Sequence, residues 1–256
     1  MNPQLTYYNL SDRVTAFSTT RQGGFSVGAY ASFNANSYCG DDPEAVACNR
    51  QLLKLKLQCD TLVIPHQVHQ TEAYVVDAGY LKLSLREQRE QTEGIDAVMT
   101  SLPNVCIGVS TADCTPIIIY DPEHHAAAVV HAGWRGTVAR IAEKTVAKMQ
   151  TVYHSRPHML RAVIGPCITV KNFEVGDEVY EAFADAGFPM SQIALRQDKW
   201  HIDLPLCNQL QLSSAGIPAE QIVQSGICTF DQCDQYFSAR RLGIRSGRIY
   251  SGIVLR

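Results

Sequence analysis

Short apolar runs alternate with amphipathic stretches along the chain, and polar, glycine-bearing segments separate them. "VTAFSTT" (14–20) alternates with the two-residue period of a strand, and "RQGGFSVGAYASFNAN" follows as a long loop. Asp41-Asp42-Pro43 opens a predicted helix over 43–58, with acidic residues and proline at its start, where free amides favour them. "TLVIPHQVH" and "EAYVVD" predict two strands, and polar "LKLSLREQRE" forms an excursion before "GIDAVMTS". "VCIGVSTADCTPIIIYD" and "AAAVVHAG" are nearly continuous apolar strands, as expected when both sheet faces are covered.

Further on, apolar residues at 138, 141, 142, 145, 146 and 149 make a helical stripe. "LRAVIGPCI" predicts a buried strand, "GDEVYEAFADAG" a helix closed by glycine, and "HIDLPLCNQLQLSSAG" another helix. Strand-like "IVQSGIC" and a final alternating strand, "RSGRIYSGIVLR", complete the order. Strands and helices interleave without a linker or an internal repeat, which predicts one α/β domain over residues 1–256.

Composition narrows the function classes. At 256 residues and net charge −3, the chain has no basic surplus for nucleic acid. No apolar run is long enough to cross a bilayer, and the N-terminus lacks a signal-peptide pattern, so a cytoplasmic location is expected. Nine cysteines at scattered spacings, with no C-x2-C pair, read mostly as small buried hydrophobes. The arginines at 240, 241, 245 and 248 read as a solvated or ion-paired cluster.

Three predicted strand ends converge in chemical type. "HQVH" carries His66 and His69, "TADC" carries Asp113 and Cys114, and "VVHAGWRG" carries His131. Two imidazoles and a thiolate suit zinc with one position open, while a Cys/His catalytic pair and plain core packing remain alternatives. On a strand, His66 and His69 would face opposite sides, so one of them is expected to join Cys114 and His131. Asp113 could orient a ligating imidazole from a bend, or merely satisfy loop amides. Arg135, in a Gly-rich turn between strand and helix, is a candidate anion cradle or else a structural arginine. Arg21 and Asn34 stand in the long loop, as a substrate wall or as surface.

Taken in order, "TTRQGGFSVGAYASFN", "HQVHQT", "GIDAVMTS", "STADCTPIIIYD", "VVHAGWRGT", "IGPCI…FEVGDEV" and "YFSARR…SGR" resemble the YfiH-like family, also labelled the laccase-domain or polyphenol-oxidoreductase family. The resemblance runs from about residue 14 to the C-terminus. It implies an α/β sandwich of mixed β-sheets covered by helices, distantly similar to bacterial toxin cysteine deamidases. The family's His-Cys-His metal motif falls on His69, Cys114 and His131; Gln67-Val68-His69 matches its Q-V-H, with Gln70 where the family usually has glycine.

Some members are credited with copper oxidase activity, while others resemble purine nucleoside phosphorylases that also deaminate adenosine. Eight histidines with no H-x-H pair cannot build the usual multicopper oxidase, so a zinc site is preferred to copper. The implied substrates are phosphate and purine nucleosides: adenosine, inosine and relatives such as methylthioadenosine. The catalytic set is then Cys114, His131 and Asp113, with Arg135, Arg21, Asn34 and His66 toward substrate or phosphate. The alternatives are a copper polyphenol oxidase, a Cys114-based hydrolase, and a non-catalytic zinc protein closed by Cys167 or His66. A monomer or a homodimer is expected.

Overall fold

The computed structural model describes residues 1–256. Strands β1 (Leu5–Tyr8), β2 (Val14–Thr19), β3 (Thr61–Val63), β6 (Val105–Thr111) and β14 (Ile249–Leu255) form one mixed sheet, ordered β1-β2-β14-β6-β3. A second mixed sheet takes β4 (Ala73–Val75), β5 (Ala97–Thr100), β7 (Thr115–Asp121), β8 (Ala126–Ala132), β9 (Arg161–Ile164) and β13 (Ile222–Gln224), ordered β13-β9-β7-β8-β5-β4. A small antiparallel sheet joins β10 (Glu174–Val175), β11 (Ala194–Arg196) and β12 (Trp200–Ile202). The helices are α1 (Pro43–Leu57), α2 (Leu85–Gln91), α3 (Trp134–Val138), α4 (Ile141–Tyr153), α5 (Asp177–Asp185), α6 (Met190–Ile193), α7 (Leu204–Ser214) and α8 (Ala239–Leu242).

Strand alternation explains the layers. Ile118, Tyr120, Ala127 and Val129 from one large sheet meet Val63, Ile107, Val109 and Ile253 from the other. The opposite face, with Met99, Ile117, Ile119 and Val130, packs under Ile141, Val146 and Met149 of α4 and Leu212 of α7. The outer face of the five-stranded sheet, with Phe17, Cys106 and Tyr250, packs under Leu53 and Leu57 of α1. Burying each such leucine contributes about 1.5–3 kcal/mol. The fold is therefore a helix-covered sandwich of mixed sheets, as the resemblance implied. A satellite core of Phe173, Val179, Phe183 and Ile202 supports the small sheet.

Local chemistry sets the helix starts. Asp42 caps α1 by accepting the Glu44 amide, with Pro43 as its first residue. Ser84 and Glu87 cap each other's amides at α2, inside the polar excursion. Three expectations change. β6 and β7, read as a single run, lie in different sheets. The stripe after residue 137 is two helices, because α3 starts at Trp134 and the chain breaks at Arg140, φ +63°. His201 and Ile202 belong to β12, so the helix after them starts only at Leu204, capped by Asp203.

Candidate metal and substrate site

The chain leaves the five-stranded sheet at Thr111 and enters the six-stranded sheet at Thr115. In the crossing Asp113 adopts φ +85°, a region that costs a side-chain-bearing residue about 1–2 kcal/mol. Its carboxylate holds the bend by accepting the Thr229 hydroxyl at 2.7 Å and the Arg240 amide at 2.6 Å. The bend delivers Cys114 to the start of β7. Alternation through Pro116, Ile118 and Tyr120 puts Cys114 on the inter-sheet side, and alternation through Val129 does the same for His131.

Asp96 organises the other half of the site. It lies one step before Ala97, which pairs with Val130, so it faces His131 across the ladder. Its Oδ1 accepts His131 Nδ1 at 2.7 Å and the His69 amide at 3.0 Å. Its Oδ2 accepts the amides of Val68 at 3.2 Å and Gln70 at 2.8 Å. Three successive amides converging on one fully buried carboxylate hold His69 at φ +62°. Burial pushes the Asp96 carboxyl up, but His131 and the amides outweigh it and keep it below the usual range.

The donor atoms of His69, Cys114 and His131 lie within 4.8 Å of one another. Burial pushes the Cys114 thiol up, but His131 and hydrogen bonds from both histidines outweigh it, bringing it down to about 6. Burial pushes His131 down, and Cys114 and Asp96 outweigh it, raising it to about 9. With Nδ1 committed to Asp96, His131 has Nε2 left for a metal. Gly133 keeps the space open: a Cβ there would stand 3.0 Å from His69 Cδ2 and 3.1 Å from Cys114 Sγ. Two imidazoles, an acidic thiol and a cleared space fit a soft or borderline cation with one open position.

These donors open into a cavity of about 440 Å³, within the range that takes a small-molecule ligand. Its wall includes Tyr38, His66, Gln67, Trp134, Arg240 and Arg248. Ser110 and Thr111 also line it, and their buried hydroxyls have no partner within the protein.

Not every expected residue reaches this cavity. His66 does, beside His69, because both follow the end of β3 in a bend rather than alternating along a strand. Of the two, only His69 joins the donor set. Asp113 turns away to Thr229 and Arg240. Arg135 lies over the Trp134 ring at 4.2 Å and is not on the cavity wall. Arg21 donates to the carbonyls of Ala31 and Cys233, and Asn34 is buried against Asn36, Asp41 and the Arg248 amide. Both brace the long loop instead of facing the cavity. Cys167 is buried in a bridge beside Cys228 and does not join the donors.

Sequence reasoning missed Asp96, Tyr38 and Trp134, and read Arg240 and Arg248 as part of a solvated or ion-paired cluster. A carboxylate opening the apolar stretch "IDAVMT" was the available signal for Asp96. A second carboxylate–histidine group, Asp121, Glu123 and His124, is committed to the β7–β8 turn and to Arg156.

The chain is 45% identical to a purine nucleoside phosphorylase of Bacteroides thetaiotaomicron, over 98% of this chain and 96% of that protein. It is 42% identical to adenosine deaminase RL5 from an unknown prokaryotic organism, over 98% of this chain and 97% of that one. The crystal structure of the Bacillus licheniformis hypothetical protein YfiH superimposes with a TM-score of 0.91 at 30% identity, covering 99% of this chain and 97% of that chain. Residues 15–256 match the model of the family described as multi-copper polyphenol oxidoreductase laccase, and the chain belongs to this YfiH family.

Proposed function

We propose that the protein is a zinc-dependent purine nucleoside phosphorylase that also deaminates adenosine, working in the cytoplasm as one catalytic domain over residues 1–256. Adenosine, inosine and related nucleosides such as methylthioadenosine are its substrates. The observation that carries this reading is the placement of a three-donor metal set in a cavity also walled by aromatic and cationic side chains. Relatives named purine nucleoside phosphorylase and adenosine deaminase, aligned over nearly the whole chain, support it.

In phosphorolysis a phosphate oxygen bonds to C1′ of the ribose while the C1′–N9 bond breaks and the purine leaves with the electron pair. In deamination, water replaces the 6-amino group and ammonia leaves. His69, Cys114 and His131 would hold the zinc, which would supply Lewis acidity there. The chain's own residues position the reactants. Tyr38 and Trp134 offer flat apolar faces for the base. Arg240 and Arg248, rather than Arg135, stand where they can balance phosphate charge. Asp113 ties the Cys114 bend to the first turn of α8, so the thiolate and Arg240 are set by one carboxylate.

A multicopper oxidase needs further clusters of histidine ligands. Here only one candidate metal group combines cysteine with histidine. The donor set alone would accept copper, so metal identity is tested directly. Metal analysis of untagged protein, with nucleoside turnover followed with and without phosphate, decides the reading. Zinc near one equivalent and phosphate-dependent release of base and ribose 1-phosphate are expected. Oxygen uptake with a phenolic substrate and no phosphorolysis would replace it with the oxidase. Unchanged nucleoside turnover by metal-free Cys114→Ala would also sink it.

A further inference from the structure

A purine leaving ribose carries away an electron pair and needs a proton, and the cavity wall offers few groups to supply one. Arg240 and Arg248 hold their protons too tightly. Cys39 also lines the cavity, but burial pushes its thiol up, and the sulfur is occupied by the Asn36 carbonyl and the Asn34 amide. His69, Cys114 and His131 are the metal donors, and Asp113 faces away from the cavity. His66 and the Tyr38 phenol remain, and of the two only the imidazole is paired with a carboxylate.

His66 is also built for the task. Its Nδ1 lies 2.6 Å from Glu93 Oε1, so the carboxylate fixes the tautomer and leaves Nε2 without a partner. Both side chains are partly exposed, and the backbone fixes the pair. The His66 amide donates to the Thr92 carbonyl at 3.0 Å, and the Gly94 amide donates back to the His66 carbonyl at 2.9 Å. Those two bonds bracket Glu93 and lock the two backbones in a bridge. Tyr38 stacks on the imidazole with ring centroids 4.3 Å apart and planes within 23°. The ring is thus held on its edge by Glu93 and on its face by Tyr38, while still lining the cavity.

We infer that His66, braced by Glu93 and Tyr38, is the general acid that protonates the departing purine. The inference rests on the phosphorylase reading above. As the phosphate oxygen bonds to C1′ and the C1′–N9 bond breaks, the electron pair passes into the ring and the imidazolium Nε2–H goes to N7. Glu93 keeps the Nδ1 edge engaged, so Nε2 is the edge free for transfer. The proton lost by the attacking phosphate restores the imidazolium, so atoms and charge balance over the cycle.

The test uses a substrate that needs no such proton. In 7-methylinosine the base already bears a positive charge at N7 and leaves unaided. Phosphorolysis of inosine and of 7-methylinosine is measured for wild type, His66→Gln and Glu93→Gln, with zinc content and melting temperature recorded for each. His66→Gln is expected to lose about 10²–10³-fold in kcat on inosine and less than about threefold on 7-methylinosine. Glu93→Gln should show the same selectivity with a loss of about tenfold. Equal losses on both substrates, or full inosine activity in His66→Gln, would overturn the role while leaving the phosphorylase intact. Wild-type protein that splits neither nucleoside in phosphate would overturn the phosphorylase reading itself, and this role with it.

Discussion

Replacing Asp96 with asparagine keeps the shape of the side chain and removes half of its capacity to accept. The carboxylate takes four N–H groups, two on each oxygen. An amide can accept at only one end. Either the Val68 and Gln70 amides or the His131 ring and His69 amide must then face an NH2 group. A buried donor left unpaired costs about 1–3 kcal/mol, and here the strain falls on two of the three metal donors. A buried group that orients ligating histidines is typically worth about 10- to 100-fold in metal affinity, or about 1.4–2.7 kcal/mol. That is the weakening expected for Asp96→Asn, read by titrating zinc against a chromophoric chelator. The metal-free variant should also melt lower, by about 2–4 °C for each kcal/mol lost. Asp96 sits below the usual carboxyl range, so its contribution is present above the unfolded value and is lost as pH falls through the folded one. The melting deficit of the variant should therefore shrink on acidification. Wild-type zinc affinity combined with a lowered melting temperature would refute the argument, reducing Asp96 to a fold residue that leaves the donors where they were.

Gly133 has an ordinary φ of −68°, so Gly133→Ala should fold with normal circular dichroism yet lose zinc content, because its Cβ crowds His69 and Cys114. In metal-free protein, with Cys114 near 6 and His131 near 9, the thiolate–imidazolium pair should persist between those values. Cys114 should then alkylate with iodoacetamide at pH 7 well ahead of Cys167, which burial pushes up to about 12, and added zinc should protect it; peptide mass mapping checks both. Arg240→Ala should raise the phosphate KM about tenfold while Arg135→Ala leaves it unchanged, since only the former lines the cavity. Gly108→Ala should lower stability by about 1–3 kcal/mol in a denaturant melt, as its Cβ would fall 2.4 Å from Tyr250 Cζ and 2.5 Å from the Ser251 carbonyl.

What the sequence made legible follows the range of its physical signals. Helix α1 was readable because the acidic residues and Pro43 at its start act within one turn of each other. The buried strands were readable as apolar runs, but their division between sheets was not. Nothing in "VSTADCTP" states that the chain changes sheet, since the hydroxyl and the amide that hold the Asp113 bend come from Thr229 and Arg240, more than a hundred residues away. His66 and His69 were assigned to opposite faces by an alternation rule that requires extended backbone, and the three-amide cradle on Asp96 removes that premise. Arg135 drew attention through neighbours in sequence, whereas Arg248 reaches the cavity through the β14 pairing with β6, and Arg240 through its amide on Asp113. That pairing brings the C-terminal strand beside residues 105–111.

Metal preference and reaction are decided by different parts of this site. The donor set is small and soft, closed on one side by Gly133 and Asp96, and it would hold zinc or copper alike. On the phosphorylase reading the reaction would depend instead on the wall, which carries a stacked imidazole, Trp134 and two arginines. An oxidase would need a route for electrons to further metal centres, and no second Cys/His donor set exists to make one. A nucleoside needs a flat face for its base, cations for its phosphate partner and a proton donor, and the wall carries all three. Metal substitution should therefore scale the rate of the nucleoside reaction without changing its products. Copper-loaded protein that still releases ribose 1-phosphate from inosine, and takes up no oxygen, is the expected outcome. A switch to oxygen consumption on exchange of the metal alone would show that the donor set governs the chemistry and the wall does not.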